Sequence, residues 1–387
     1  MTNLAGWNAG QWMKCNGSVQ MQTTFPALPG EQSESRREGI AMHEITQKML
    51  ESFKHPLNDI LTMSDVVGTT SSNGVLITDE MGQACLDATT AVITTQPLGG
   101  NFDKMEIERR IDLSFIHPEL NMLKPDCYIW DDVNGVLDIW DFKFGRRVVE
   151  VFENWQLILY ALGIINKLEM TGYEDQHVKV RMRIYQPFAS HVDGSSRVWE
   201  CQASDLRTYA NLLIEGAKAS LADNPTTTPG ASQCTYCTAR RGCESLQRSN
   251  YNIMDYINNA VPYEMKGLNL SSEYNLLKHF ESILKARLSG IEEQVLHDIK
   301  HGEIVHGLGV TQGYGRKTWR KDIDQEEVIM MGDIMGVDLR KPRELDTPTK
   351  CLSKGVDVSV IDAYSLRPST KMKIVKNDET KARNVFR

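Results

Sequence analysis

Lys124-Pro-Asp-Cys-Tyr-Ile-Trp-Asp131 and Val136-Leu-Asp-Ile-Trp-Asp-Phe-Lys-Phe144 decide the fold of this chain. Both runs are rich in β-branched and aromatic residues, which suit a pleated surface. Between them stands Asn134-Gly135, a dipeptide that readily takes the positive φ of a hairpin turn. The runs therefore read as two antiparallel strands, 124–131 and 136–144.

The pattern extends in both directions. In residues 104–113, Met105, Ile107, Ile111 and Leu113 alternate with Glu106, Glu108, Arg110 and Asp112, the signature of a strand with one polar face. Upstream, residues 34–54 read as an amphipathic helix, with Ile45, Met49 and Phe53 recurring every fourth position. A loop over 55–75 and a second helix over 78–95 follow it. Downstream come a helix at about 150–168, a strand at 177–186 stopped by Pro187, and a helix at 203–222. The order is helix, three-strand meander, helix, strand, helix, which implies an α/β core with mixed strand directions.

Residues 223–233 (DNPTTTPGASQ) form a turn-rich linker into a cluster of cysteines. We expect one domain over 1–250 and a smaller α+β module over 251–387. In that module residues 272–300 read as one long helix, 303–320 as a β-hairpin and 324–335 as a short helix, with a basic tail from about 367. Its role stays open: Arg316, Lys317, Arg320 and Lys321 suit a DNA-contacting hairpin or a solvated one, and the module suits oligomerisation equally. The chain shows no internal repeat.

Composition sets limits on function. The 387 residues carry a net charge of −8, with 41% hydrophobic and 24% charged residues. A protein that coats DNA non-specifically would be basic overall, so that class is disfavoured. A metal-dependent nuclease is not, because it needs carboxylates at the metal and only a local basic patch. Basic pairs occur at Arg36-Arg37, Arg146-Arg147, Arg181 with Arg183, and Arg240-Arg241. No apolar run approaches the roughly 20 residues of a membrane span. The opening stretch lacks a secretory pattern, so a soluble cytoplasmic protein is expected.

The hairpin gathers chemistry. Asp141 and Lys143 lie two apart on one strand and share a face. Asp126 begins the neighbouring strand. Two carboxylates can hold Mg²⁺ or Mn²⁺, which prefer oxygen ligands. Such a cation polarises a phosphoryl oxygen and acidifies water, and a nearby ammonium helps neutralise the transition state of phosphodiester hydrolysis. Asp-x-Lys alone is a common tripeptide on strand surfaces. Two further features give it a setting. Gly39-Ile-Ala-Met-His43 places an imidazole on the preceding helix, available as a further ligand. Gln156 and Tyr160 share one face of the following helix, placed to contact DNA or to brace the lysine.

G-x-x-x-H, then Pro-Asp, then Asp-x-Lys, then Q-x-x-x-Y resembles the PD-(D/E)XK nucleases of the RecB type over roughly residues 36–190. The resemblance implies their restriction-endonuclease-like core, a mixed central sheet flanked by helices. It implies His43, Asp126, Asp141 and the Phe142 carbonyl as metal ligands, and Asp126, Asp141 and Lys143 as catalytic residues. Gln156 and Tyr160 are then motif residues at the DNA. One departure stands out: members often carry a glycine shortly before the first aspartate, where this chain has Asn121-Met-Leu-Lys124.

Eight cysteines are present, and three form Cys234-x-x-Cys237-x5-Cys243. A closed site needs a fourth ligand, for which Cys15 is the best candidate. Spacing alone admits Zn²⁺ or a [4Fe–4S] cluster. Cys85, Cys127, Cys201 and Cys351 read as ordinary small residues. One N-terminal cysteine plus C-x2-C-x5-C after the nuclease motifs is similar to the iron–sulfur nucleases, including AddAB-type helicase–nucleases and CRISPR-associated exonucleases. That implies a [4Fe–4S] staple, with Zn²⁺ as the alternative. Trp12-Met-Lys-Cys15, Ile184-Tyr-Gln-Pro187 and Gly313-Tyr-Gly-Arg-Lys-Thr-Trp319 look like a phage- and prophage-encoded family of single-chain nucleases.

The expected function is therefore a Mg²⁺- or Mn²⁺-dependent DNA exonuclease in phage recombination or replication. Its partners would be DNA and a recombination or single-strand-annealing protein. The competing reading is a non-catalytic DNA-end-binding or scaffold protein on the same fold.

Overall fold

The computed structural model describes residues 4–29, 33–54, 59–95, 102–120, 123–169, 177–257, 267–310 and 325–334. The chain forms two compact units, Met1–Val310 and Thr311–Arg387.

Two short helices, Ala9–Trp12 and Ser18–Thr24, precede α1 (Glu34–Lys54). Glu34 in its first turn and Lys54 in its last oppose the helix dipole favourably. Ile45 and Met49 are buried as their spacing predicts, and Phe53 is half-buried. A four-residue helix, Met63–Val66, interrupts the expected loop. α2 spans Asp79–Thr94 and is capped by the Thr78 hydroxyl, which accepts from the Met81 N–H.

The central sheet has five strands in sequence order: β1 (Met105–Ile107), β2 (Cys127–Asp131), β3 (Val136–Phe142), β4 (Lys179–Tyr185) and β5 (Ser196–Gln202). β1–β2–β3 form an antiparallel meander, β4 runs parallel to β3, and β5 pairs antiparallel with β4. The β2–β3 turn falls on Asn134-Gly135, where Gly135 takes φ of 65°. Four residues form the loop, and the Asp131 carboxylate accepts from the N–H groups of Val133 and Asn134.

α3 (Trp155–Glu169) makes the crossover that a parallel β3–β4 pair requires. α4 (Arg207–Ser220) follows β5 through a 3₁₀ turn, Ala203–Leu206. Both sheet faces are covered. α1 and α2 pack over Met105, Ile129, Trp140 and Phe142. α3 and α4 pack over Leu137, Ile139, Val180 and Met182. The result is a three-layer, mixed α/β arrangement around one sheet.

Three expectations need correction. The strand read over 104–113 stops at Ile107, because Glu108 takes φ of 50°, a left-handed conformation that ends pairing. Beyond it the Glu108 N–H still bonds the Asp126 carbonyl, and Ile111 forms an isolated bridge to Leu123. β5 was not anticipated, although Ser196–Gln202 has a strand composition. The division between units falls after Val310, not at 250. α5 (Glu244–Ile257) and α6 (Gly267–Lys300) belong to the first unit, where Ile283 and Ala286 of α6 pack with Leu246 and Cys234.

Residues 303–310 form no strand, and the rest of the expected hairpin, with Arg316, Lys317, Arg320 and Lys321, lies outside the described residues. So do Cys351 and the basic tail. In the second unit α7 (Gln325–Ile334) matches the expected short helix. Among the described residues no helix is long and apolar enough to cross a membrane.

Candidate active site and cysteine pocket

Sheet register builds the first site. Cys127 pairs with Trp140, so the next step outward sets Asp126 opposite Asp141. Asp126 Oδ2 accepts the Phe142 N–H at 2.6 Å, fixing the carboxylate at the mouth of the hairpin. Its other oxygen, Oδ1, lies 3.2 Å from Nδ1 of His43 on α1. Asp141 Oδ2 lies 2.7 Å from Lys143 Nζ. Lys143 Nζ donates to Gln156 Oε1 at 3.1 Å, and Gln156 Nε2 donates to the Tyr160 hydroxyl at 2.6 Å. Neighbouring strand ends and two helices thus carry two short polar chains side by side, His43–Asp126–Phe142 N–H and Asp141–Lys143–Gln156–Tyr160.

Its electrostatics are uneven. Burial works to raise the proton affinity of Asp126, but the charge and hydrogen bond of His43, then Lys143 and the Phe142 N–H, hold it below the usual range. Asp141 moves the other way, raised by burial and by the Asp126 charge despite Lys143. Burial would lower Lys143, yet Asp141 outweighs it and keeps the ammonium charged. His43 is likewise raised, because Asp126 overcomes burial. Two carboxylates pushed apart in this way are a frequent mark of functional sites.

Gln156 and Tyr160 were read as residues at the DNA or as braces for the lysine. Tyr160 is 3% exposed and screened from a macromolecule at the surface, whereas Gln156 is half-buried, accepts from Lys143 and donates to Tyr160. Phe142 reaches the site through its N–H.

Glu108 was missed. Its N–H donates to the Asp126 carbonyl at 3.2 Å. Burial and the neighbouring Asp126 raise its carboxyl. Its left-handed backbone, normally unfavourable by about 1 kcal/mol or more, is retained beside the carboxylates. In the sequence it looked like one more polar residue of an alternating strand.

An open cleft of about 760 Å³ adjoins this site. His43 and Lys143 line it at one side. Arg36, Arg146 and Arg147 also line it, and among the described residues no carboxylate-bearing one does. Gly39 contributes an open stretch of wall, since a Cβ there would meet nothing within 4 Å. Gln186, fully buried, fixes the loop that carries the arginines. Its amide donates to the carbonyls of Gly145 and Arg147 at 2.8 and 2.7 Å, and its oxygen accepts from the Val149 N–H at 3.1 Å and from Arg197 at 2.8 Å. All the capacity of the side chain is used.

The second site joins distant parts of the chain. Cys15, Cys234, Cys237 and Cys243 line one small pocket. Cys85, Cys127 and Cys201 are elsewhere, and Cys85 and Cys127 are fully buried. Thr228 N–H donates to Cys15 Sγ, and Gly230 N–H to Cys234 Sγ, each at 3.3 Å. Burial raises Cys15, and pushes Cys234 and Cys237 up to about 11. Around the thiols the N-terminal segment is sewn to the cysteine loop: Gln11 donates to the Gln233 carbonyl at 2.8 Å, and Gly17 N–H to the Thr226 carbonyl at 2.8 Å.

The donor sets fit the groups expected of them in kind. Clustered carboxylates with an imidazole suit a hard divalent cation, which would offset the burial, and then the Asp126 charge, that raise Asp141. Four thiols in one pocket suit an iron–sulfur cluster or zinc. Among the described residues, however, no group of three or more His, Cys, Asp or Glu side chains is already arranged as a metal cage.

One protein-family model, described as a protein of unknown function (DUF2800), matches residues 2–381.

Proposed function

The chain belongs to the DUF2800 family, and we propose that it is a metal-dependent DNA nuclease, acting as an exonuclease. The observation that carries this reading is the pairing of Asp126 with His43 and of Asp141 with Lys143, where His43 and Lys143 themselves line a cleft that Arg36, Arg146 and Arg147 also line. In a chain of net charge −8, a cationic cleft beside a carboxylate pair is a local inversion suited to a polyanion.

Asp126, Asp141 and His43 would hold Mg²⁺ or Mn²⁺, with Glu108 and the Phe142 carbonyl as further oxygen sources. When bound, the cation supplies Lewis-acid polarisation of the phosphate and a more acidic water. The chain's own residues do the rest. Arg36, Arg146 and Arg147 bind the phosphate backbone and set its register. Lys143 presents its ammonium to the scissile phosphate and offsets charge that grows in the transition state. Gln156, held by Tyr160, fixes the lysine so that little reorganisation is needed at the moment of reaction.

Cys15, Cys234, Cys237 and Cys243 would hold a [4Fe–4S] cluster, or Zn²⁺, as a staple between the N-terminal segment and the loop before α5. A role in phage DNA recombination or replication is part of the same proposal.

The test is digestion of end-labelled single- and double-stranded DNA by anaerobically purified protein with Mg²⁺, Mn²⁺ or a chelator. Metal-dependent shortening from an end supports the reading. Stable DNA binding without any cleavage would instead establish a non-catalytic end-binding protein.

A further inference from the structure

The cysteine loop does more than close on the N-terminal segment. Tyr236 stands between Cys234 and Cys237, two residues buried to 8% exposure, yet it is itself 70% exposed. Tyr236 and Ser232 line the same cleft as His43 and Lys143. The Arg147 guanidinium lies over the Tyr236 ring, 5.1 Å from its centroid. Gln186 holds the backbone of Arg147 from within the core. An exposed aromatic ring thus lies against a cation at the wall of a cationic cleft.

We propose that Tyr236, backed by Arg147, is a stacking platform for a nucleobase of the DNA strand lying in the cleft, so that the cysteine loop forms part of the substrate site. The proposal rests on the nuclease reading above. Stacking on tyrosine tolerates any base, because every base has a π face. Arginine suits both partners at once: it packs on the ring and points charge at the adjacent phosphates. A base stacked on Tyr236 has left a duplex stack, so the strand is single at that point. Loss of the group held by the cysteines would then weaken the grip on DNA by displacing Tyr236, without touching the carboxylates.

The experiment compares binding of a fluorescent single-stranded oligonucleotide with a base-free strand of equal length, by anisotropy, using full-length protein with Ca²⁺ to prevent turnover. Wild type should bind the intact strand more tightly, by about 5- to 150-fold for one stacked base. Tyr236→Ala should remove most of that preference with unchanged affinity for the base-free strand, and Tyr236→Phe should restore it. Iron or zinc content and melting temperature, measured on each variant, report the cysteine pocket. Tyr236→Leu, similar in bulk but without a π face, gives the same readout where Tyr236→Ala does not fold. Wild-type preference retained in the Ala or Leu variant overturns the proposal. Equal binding of both strands by wild type overturns it too, while leaving the nuclease reading intact. Failure of wild type to bind either strand counts against the nuclease reading itself.

Discussion

The carboxylate–lysine pocket and the cysteine pocket are built in opposite ways. The first stands on the ends of sheet strands and on two helices that pack against them. Its charged groups already satisfy one another: Asp126 with His43 and the Phe142 N–H, Asp141 with Lys143, Lys143 with Gln156. The second stands on loops and short helices. The N–H groups of Thr228 and Gly230 donate to Cys15 and Cys234, and burial raises Cys15, Cys234 and Cys237. A preorganised polar site keeps its shape alone, whereas buried thiols gain most from a cation that turns them into thiolates. Damage to the first should therefore cost activity with little cost in folding, and damage to the second should cost folding first.

The largest expected effect is at the lysine. Lys143→Met keeps the length of the side chain and removes its charge. Cleavage should fall by about 10²–10³-fold, with DNA affinity retained, as measured by single-turnover digestion beside a binding isotherm. A fall in affinity equal to the fall in rate would show that Lys143 only binds.

The cysteine pocket comes next. Cys237→Ser should lower stability by roughly 2–4 kcal/mol, the scale for opening a cross-link that closes a long loop. Thermal melting and limited proteolysis between the N-terminal segment and the cysteine loop read this out. An unchanged melting temperature, with metal content lost, would make the pocket a passenger rather than a staple.

The smallest effect should be at the brace. Gln156→Leu removes one hydrogen bond to Lys143 and one to Tyr160, and should slow cleavage by about 10-fold, near 1.4 kcal/mol. Melting should shift little. If rate is untouched while affinity drops, Gln156 faces the DNA after all.

How much of this was legible in the sequence follows the range of the interactions. Asn134-Gly135 and the runs beside it identified the hairpin, because turn chemistry and strand composition are local. The spacing of Asp126, Asp141 and Lys143 across that hairpin followed at once, as did His43 and Gln156 on the flanking helices. Glu108 does not, since its alternation with Met105 and Ile107 imitates a strand, while its backbone is left-handed and Asp126 lies beside its carboxyl. Gln186 was visible only as part of Ile184-Tyr-Gln-Pro187. Its four hydrogen bonds reach back to residues 145–149 and on to Arg197, which no local pattern encodes. The boundary at 250 failed for a similar reason. The α6 face that carries Ile283 and Ala286 finds its partner in the cysteine region, a tertiary contact with no signal in the linker.

Asp141 is central to the proposed chemistry, and the most direct test compares Asp141→Asn with wild type in the end-labelled DNA assay with Mg²⁺ or Mn²⁺. The substitution keeps the shape of the side chain and removes the charge. Wild type should shorten the DNA, while Asp141→Asn should show no measurable cleavage at an unchanged fold by circular dichroism. Cleavage by Asp141→Asn at the wild-type rate would contradict it.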